Sequence, residues 1–121
     1  MSKDQNSNKY DLEERTFQFA KSVCLYTKTL KRADSNIEYS KQVIRSSSST
    51  GANYIEANEA LSKKDFKMRI KISRKEVKES AYFLRLIIET NEEEYQTKGL
   101  GLMDEANELK KIFSAILLKS E

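Results

Sequence analysis

Apolar and small residues recur along this chain at steps of three and four, the spacing of one face of an α-helix. Four segments carry this pattern, and short polar connections separate them. The predicted helices span residues 11–30, 37–60, 63–91 and 102–119, and residues 1–9 form a disordered N-terminal tail. Short connections between amphipathic helices favour an antiparallel up-down-up-down four-helix bundle. The pattern therefore predicts an all-α domain over residues 10–121.

The apolar stripes indicate which side chains form the core. Helix 1 contributes a stripe with a second flank beside it: Leu12, Thr16, Phe19, Val23, Thr27 and Leu30, flanked by Phe17, Ala20 and Cys24. Helix 2 contributes Ile37, Ser40, Val43, Ile44, Ser47, Gly51, Tyr54, Ile55 and Asn58. Helix 3 contributes Phe66, Ile70, Ser73, Val77, Ala81, Leu84 and Ile88, and helix 4 contributes Leu102, Ala106, Leu109, Phe113 and Ile116. The predicted N-caps are Asp11, Ser35 or Asn36, and Ser62. Gly99 and Gly101 indicate a loop before helix 4.

Residues 45–56 (RSSSSTGANYIE) form an unusually small and polar stretch within helix 2. Side chains this small cannot fill a core, so they let another helix approach closely. The stretch lacks the Gly-Lys-Ser/Thr ending of a phosphate-binding loop and follows no predicted strand. It therefore predicts a polar, close-packed seam whose members are Arg45, Ser49, Gly51, Asn53 and Glu56.

The composition argues against common enzyme classes. The 121 residues include no histidine, which removes the commonest general base and most zinc-ligand sets. No proline and only three glycines suit long helices. Cys24 is the only cysteine, so no disulfide forms within one chain, and a reducing cytoplasmic location fits. No apolar run approaches the length of a membrane span. We expect no enzyme activity, no cofactor and no small-molecule substrate.

Two Glu-x-x-Glu pairs raise the alternative of a metal site. Glu56 with Glu59 and Glu76 with Glu79 lie on neighbouring predicted helices, and four-helix bundles can host carboxylate-bridged metals. Such sites usually need histidine as well, so we expect no metal. Ion pairs with Arg45 or other basic residues are the favoured role of these glutamates.

Charge is segregated along the chain. Residues 63–85 contain nine lysines or arginines against three acids, whereas residues 89–121 contain eight acids against four lysines. A helical projection puts one aromatic and seven basic residues on one side of helix 3: Lys64, Lys67, Lys71, Arg74, Lys75, Lys78, Tyr82 and Arg85. Such a row suits phosphate backbones. A solvated face, or ion pairs with the acidic helix 4 of the same or another subunit, is the alternative.

Another flank of helix 3 is apolar and suggests assembly. Met68, Ile72, Phe83 and Leu86 cluster there, and an isolated bundle would leave much of this area in water. With the second flank of helix 1, this cluster predicts a homo-oligomer interface.

The chain resembles the bacterial 23S rRNA intervening-sequence protein family over about residues 11–119. The resemblance starts with Asp11-Leu12, Phe17 and Ala20, and its most specific block is RSSSSTGANYIEA at 45–57. It continues through ALSKKDF at 60–66, SRKEVKES at 73–80 and YFLRL at 82–86. The Gly99-Leu-Gly101 connection departs from the family's common pattern.

The resemblance implies an antiparallel four-helix bundle that assembles as a homopentamer and carries no catalytic residues. Relatives include the accessory proteins of diversity-generating retroelements, which engage a reverse transcriptase and nucleic acid. From residues and resemblance together we expect a homo-oligomeric scaffold that binds structured RNA or DNA through helix 3. The alternative is an adaptor for an acidic protein partner, with no nucleic-acid role.

Overall fold

The computed structural model describes the backbone of residues 2–121 and the side chains of residues 11–121. This part of the chain contains no strand, which confirms the all-α class. The first helix begins at Ser2, so the backbone of residues 2–9 belongs to it and does not form the separate tail that was predicted for residues 1–9. The elements are α1 (Ser2–Thr29), α2 (Asp34–Asn58), α3 (Lys63–Thr90), a turn of 3-10 helix (Glu93–Tyr95) and α4 (Gln96–Lys119).

The four helices pack around one core. The interface between α2 and α3 is the most extensive, followed by those between α3 and α4 and between α1 and α2, and the interface between α1 and α4 is much smaller. Most of the predicted core side chains are buried, including Leu12, Phe19, Val23, Val43, Ile70, Val77, Leu84, Leu109 and Phe113. The three-and-four spacing therefore identified the inward face of α1, α3 and α4.

Three isoleucines of α2 are the main exception. Ile37, Ile44 and Ile55 were expected in the core, yet 37%, 37% and 47% of their surfaces are exposed. Each directly follows a buried residue, and one residue turns an α-helix by about 100°. The buried arc of α2 is narrower than the apolar arc of its sequence, so these side chains lie outside the core.

Only one predicted N-cap is found as predicted. The hydroxyl of Ser62 accepts a hydrogen bond from the backbone N–H of Asp65 at 3.0 Å, so α3 begins as predicted. The prediction for Asp11 is wrong, because α1 continues through it. α2 begins at Asp34 after an extended Ala33 that provides no side-chain cap.

Asn36 has a different role from the predicted cap. Its side-chain amide donates to the backbone oxygen of Lys31 at 2.8 Å, and it exchanges two hydrogen bonds with Asn91 at 2.9 and 2.7 Å. This amide pair joins the first turn of α2 to the residue that ends α3.

The predicted loop through Gly99 and Gly101 is also wrong. α4 begins at Gln96, six residues before the predicted start, and both glycines are helical. A Cβ atom added to Gly99 would lie 2.5 Å from Cγ1 of Ile88 and 2.6 Å from the hydroxyl of Tyr26. This glycine therefore serves close packing within a helix and does not mark a turn.

No helix in the described part of the chain is both long and apolar enough to cross a membrane.

Candidate functional site

The predicted basic row lies along the outward side of α3. Lys64, Lys71, Lys75, Lys78, Tyr82 and Arg85 are exposed, while Lys67 and Arg74 are half-buried. Lysines at 64, 71 and 78 repeat every seven residues, and seven residues are close to two helical turns. The 28-residue helix spans about 42 Å and displays this row over most of its length.

The two arginines of the row are already engaged. Arg85 pairs with Glu89 one turn further on, at 2.8 Å, and this hydrogen bond is the main cause that raises the arginine's pKa. Arg74 donates to the hydroxyl of Ser114 on α4 at 3.4 Å. Both guanidinium groups have partners within the bundle, and the lysines carry most of the remaining charge of the row.

The lysines differ from the arginines in this respect. Among the side chains that the structure describes, no carboxylate forms an ion pair with a lysine of the row. We call Lys64, Lys67, Lys71, Lys75 and Lys78 the lysine face.

The acidic side chains of α4 form no ion pairs with the lysine face in the described part of the chain. Glu105 accepts two hydrogen bonds from Arg15 of α1, at 2.7 and 2.8 Å, and Glu108 pairs with Lys111 of its own helix at 3.5 Å. The alternative of ion pairs between α3 and the α4 of the same subunit therefore finds no support in the described contacts.

The first turns of α3 border an open concavity of about 750 Å³. Its lining combines four lysines with the helix cap and one methionine: Ser62, Lys63, Lys64, Asp65, Lys67, Met68 and Lys71. A helix N-terminus carries partial positive charge, so it adds to the field of the lysines. Basic residues outnumber acids most strongly at this end of α3, where five lysines or arginines between residues 63 and 71 accompany one acid, Asp65.

The small residues of the 45–56 stretch lie against α3. The hydroxyls of Ser46 and Ser80 are 2.7 Å apart, and Ser73 donates to the backbone oxygen of Thr50 at 2.9 Å. All four side chains are completely buried. Hydroxyl groups replace bulky apolar groups here, so two helices approach closely while every buried polar atom of the described side chains is bonded.

The predicted seam residues divide between two neighbours. Arg45 reaches α3, with Nη1 3.3 Å from both carboxylate oxygens of Glu76, and it also contacts Glu79. Asn53 accepts a hydrogen bond from Arg69 at 3.0 Å. Gly51 faces α1 instead, where an added Cβ would lie 3.0 Å from Oγ1 of Thr16.

The other two seam residues make no contact with α3 of this kind. Ser49 is half-buried and accepts a hydrogen bond from Asn53 of its own helix through its backbone oxygen, at 2.9 Å. Glu56 is exposed and forms no ion pair with any described side chain. Equal helical spacing alone does not place these residues on one interface, because α2 contacts two helices at different angles.

The glutamate pairs considered for a metal differ in their surroundings. Glu76 is 8% exposed and shares Arg45 with Glu79, as expected for an ion-pair role. Glu56 and Glu59 point to the exposed side of α2. Within residues 11–121, no group of three or more potential ligand side chains is gathered where it could hold a metal ion.

The predicted apolar flank of α3 exposes less area than its sequence suggests. Met68 is 47% exposed, but Ile72, Phe83 and Leu86 are half-buried. The ring of Phe83 lies 6.4 Å from that of Tyr39 on α2 and packs against the core. An interface at this flank stays a prediction, with Met68 as its most accessible member.

A larger apolar surface lies between α1 and α2, in a groove of about 530 Å³. Its walls are four exposed apolar side chains: Phe17, Leu25, Ile44 and Ile55. Small residues also line it, namely Ala20, Cys24, Ser48, Gly51 and Ala52, together with the polar Glu13, Thr16 and Lys21. We call this surface the α1/α2 groove. The sequence signal for it was the second flank of α1, but the isoleucines of α2 were wrongly assigned to the core.

Comparisons with known proteins agree on the family. A model of the family described as 23S rRNA-intervening sequence protein matches residues 8–115. A solved structure from Bacteroides thetaiotaomicron, a protein with unknown function from the S23 ribosomal protein family, is 30% identical. The similarity to that structure covers 88% of this chain and 97% of the other, with a TM-score of 0.72. A search of curated proteins finds none that matches the chain.

Proposed function

We propose that this chain, which belongs to the family of 23S rRNA-intervening sequence proteins, is a non-enzymatic, homo-oligomeric scaffold that binds RNA or DNA through the lysine face. Its partner would be structured RNA or DNA in the bacterial cytoplasm. The observation that carries the proposal is that ion pairs with described acids do not neutralise the lysines of α3. Its five lysines form no ion pair with a described carboxylate, although the chain contains 19 acids.

Phosphate binding follows from the arrangement of these lysines. From Lys64 to Lys78 the exposed cations extend about 21 Å along α3, at 1.5 Å per residue. Each lysine that neutralises a phosphate releases a condensed counterion, so affinity comes from charge without sequence readout. Flexible ammonium groups suit this task, because each binds as a point charge and needs no fixed partner geometry.

Antiparallel packing of α2 and α3 is the topology that the inter-helix contacts support. The start of α2 contacts the end of α3, and the later part of α2 contacts the earlier part of α3: Asn36 with Asn91, Arg45 with Glu76 and Glu79, Ser46 with Ser80, and Asn53 with Arg69. Together with the short connections between helices, these contacts support our proposal of an up-down-up-down bundle.

The α1/α2 groove supports assembly with further copies of this chain. Its four wall residues together leave about two whole apolar side chains in water, and burying them would contribute about 3–6 kcal/mol per copy. An exposed apolar groove of this kind usually marks a partner surface. The family resemblance implies five copies, and a ring would repeat the lysine face and raise the local positive potential.

Salt-dependent binding is the direct test. Fluorescence anisotropy should detect binding to a ribosomal RNA fragment at low salt, with affinity falling as salt rises. Lys71→Glu with Lys75→Glu should make the negative slope of log affinity against log salt shallower by about 1.4–1.8, because two phosphate contacts are lost. Lys28→Glu, an exposed lysine on α1, is the matched control and should change the slope little.

Two outcomes would contradict the proposal. Absence of binding at low salt would exclude the nucleic-acid role, as would binding without a salt slope. If the protein instead captures an acidic partner that survives nuclease treatment and is lost in the Lys71→Glu variant, the adaptor alternative would be favoured.

A further inference from the structure

Tyr82 is the one aromatic residue among the cations of α3, and the fold uses little of its ring. Its surface is 60% exposed. The ring makes an edge-type contact with Phe83, with the centroids 5.3 Å apart and the planes at 79°. A large aromatic side chain is therefore displayed to solvent without a structural partner for most of its area.

One edge of the tyrosine ring contacts Phe83, which is itself packed in the bundle. Phe83 is half-buried, lies 6.4 Å from Tyr39 of α2 and packs against the core. The three rings form a short chain from the surface of α3 into the α2–α3 interface. A ring that already contacts a packed neighbour loses less conformational freedom when a ligand binds to it than a surface tyrosine without such a contact.

The neighbours of Tyr82 provide the charges that a stacked nucleotide needs. Lys78 precedes it by one turn and Lys75 by two, about 6 and 10 Å along the axis. Neither lysine pairs with a described carboxylate. On the other side, Arg85 is occupied by Glu89. A nucleic-acid strand would therefore run from Tyr82 toward the lysine-rich start of α3.

An exposed aromatic ring beside a row of cations should bind single-stranded and duplex nucleic acids differently. Duplex bases are stacked on each other, so a surface tyrosine reaches them only after they are flipped out of the helix. Unpaired bases offer their faces directly, and stacking on aromatic side chains is a main source of affinity for single strands.

We propose that Tyr82 is a base-stacking platform, and that the α3 surface binds an unpaired stretch of RNA or DNA in preference to a duplex. This inference rests on the proposed nucleic-acid function and specifies its substrate class. In this arrangement the lysine face binds the phosphates on one side of the stacked base.

The experiment compares a short RNA carrying 2-aminopurine, single-stranded or annealed to its complement, with the full chain. Tyr82→Leu keeps an apolar side chain beside Phe83 but removes the aromatic face, whereas Tyr82→Phe keeps it. We expect Tyr82→Leu to weaken single-strand binding by about 5- to 150-fold. It should leave duplex binding within about twofold, and Tyr82→Phe should resemble the unsubstituted protein on both RNAs.

The 2-aminopurine signal adds a readout that a structural role would not change. Stacking should quench its fluorescence when the single strand binds to the unsubstituted protein or to Tyr82→Phe, but not to Tyr82→Leu. Thermal unfolding by circular dichroism should show that Tyr82→Leu keeps its helices.

The outcomes separate this inference from the proposed function. Salt-dependent binding of both RNAs with equal affinity, unaffected by Tyr82→Leu, would overturn the stacking platform and leave the lysine face intact. An equal loss on both RNAs in Tyr82→Leu would also overturn it. Failure of both RNAs to bind at low salt would overturn the nucleic-acid function itself.

Discussion

Replacement of Gly99 by alanine should destabilise the bundle, although alanine is the better helix former. Gly99 is buried within α4, at the point where this helix contacts α1 and α3. A methyl group there would lie 2.5 and 2.9 Å from two carbons of Ile88, and 2.6 Å from the hydroxyl of Tyr26. The Tyr26 hydroxyl donates to the backbone oxygen of Tyr95 at 2.9 Å, so movement of its ring breaks that bond.

The expected change in the free energy of unfolding combines two losses and one gain. Overpacking of a core typically costs about 1–3 kcal/mol. A buried hydroxyl that loses its partner costs about 1–3 kcal/mol more. Alanine recovers about 1 kcal/mol of helix propensity. The free energy of unfolding should therefore fall by about 1–5 kcal/mol, because steric and hydrogen-bond losses exceed the gain in propensity.

Gly101 provides a matched control in the same helix. It is exposed, and a Cβ added there would meet no atom within 4 Å. Gly101→Ala should consequently gain only helix propensity and stabilise the protein by about 1 kcal/mol. Two identical substitutions two residues apart should thus have opposite signs.

The assay is denaturant unfolding followed by circular dichroism, at one fixed protein concentration because assembly would couple to stability. Gly99→Ala should also cost less in a Tyr26→Phe background, by about 0.5–3 kcal/mol, since the hydroxyl that it displaces is gone. If Gly99→Ala were as stable as the unsubstituted protein or more so, the close-packing explanation for this glycine would be wrong.

Three further predictions concern assembly, packing and pH. Ile55→Asp in the α1/α2 groove should reduce the mass measured by light scattering to that of a 14.0 kDa monomer, with unchanged helicity. Leu61→Asp, at a fully exposed turn, should leave the mass unchanged. A monomeric unsubstituted protein, or an intact Ile55→Asp oligomer, would contradict the groove as interface. Phe83→Asp should instead lower thermal stability, because that ring packs against the core; an unchanged melting temperature would refute this. Burial raises the pKa values of the hydroxyls of Tyr26 and Tyr54 above 10.0. Their contribution to stability is therefore complete below pH about 10 and declines at higher pH. Tyr54→Phe should flatten this alkaline decline in the free energy of unfolding, and an unchanged slope would contradict the role given to Tyr54.

The inward faces of α1, α3 and α4 were predictable from the sequence because their apolar stripes are continuous. Each stripe in these helices faces the core, so helical spacing and burial agree. The cap at Ser62 was also predictable, since its interaction with Asp65 is local.

The errors arose where distant parts of the chain decide. Gly99 appears as a loop residue in the sequence, yet contacts with Ile88 and Tyr26 require its small size inside α4. Ile44 and Ile55 fit a core stripe by spacing, but α2 contacts two helices through small residues and leaves these side chains outside. Local sequence patterns do not predict the angle at which two helices pack.

The candidate site was likewise predictable from the sequence in part and dependent on tertiary contacts in part. The row of cations on α3 follows from seven-residue spacing, which the sequence contains in full. Which of them remain available depends on contacts such as Arg74 with Ser114 on α4, which lies 40 positions away. The contact of Phe83, the neighbour of Tyr82, with Tyr39 likewise needs the packing of α2 on α3.

The sequence by itself determined the all-α class, most of the buried stripes, the segregation of charge and the family. These properties depend on residue type and helical period, which are local. Only the tertiary structure decided which apolar residues stay outside the core, which glycine is needed for close packing and which cations have partners. These properties depend on distances between helices, and such distances result from the combined packing of all side chains at each interface.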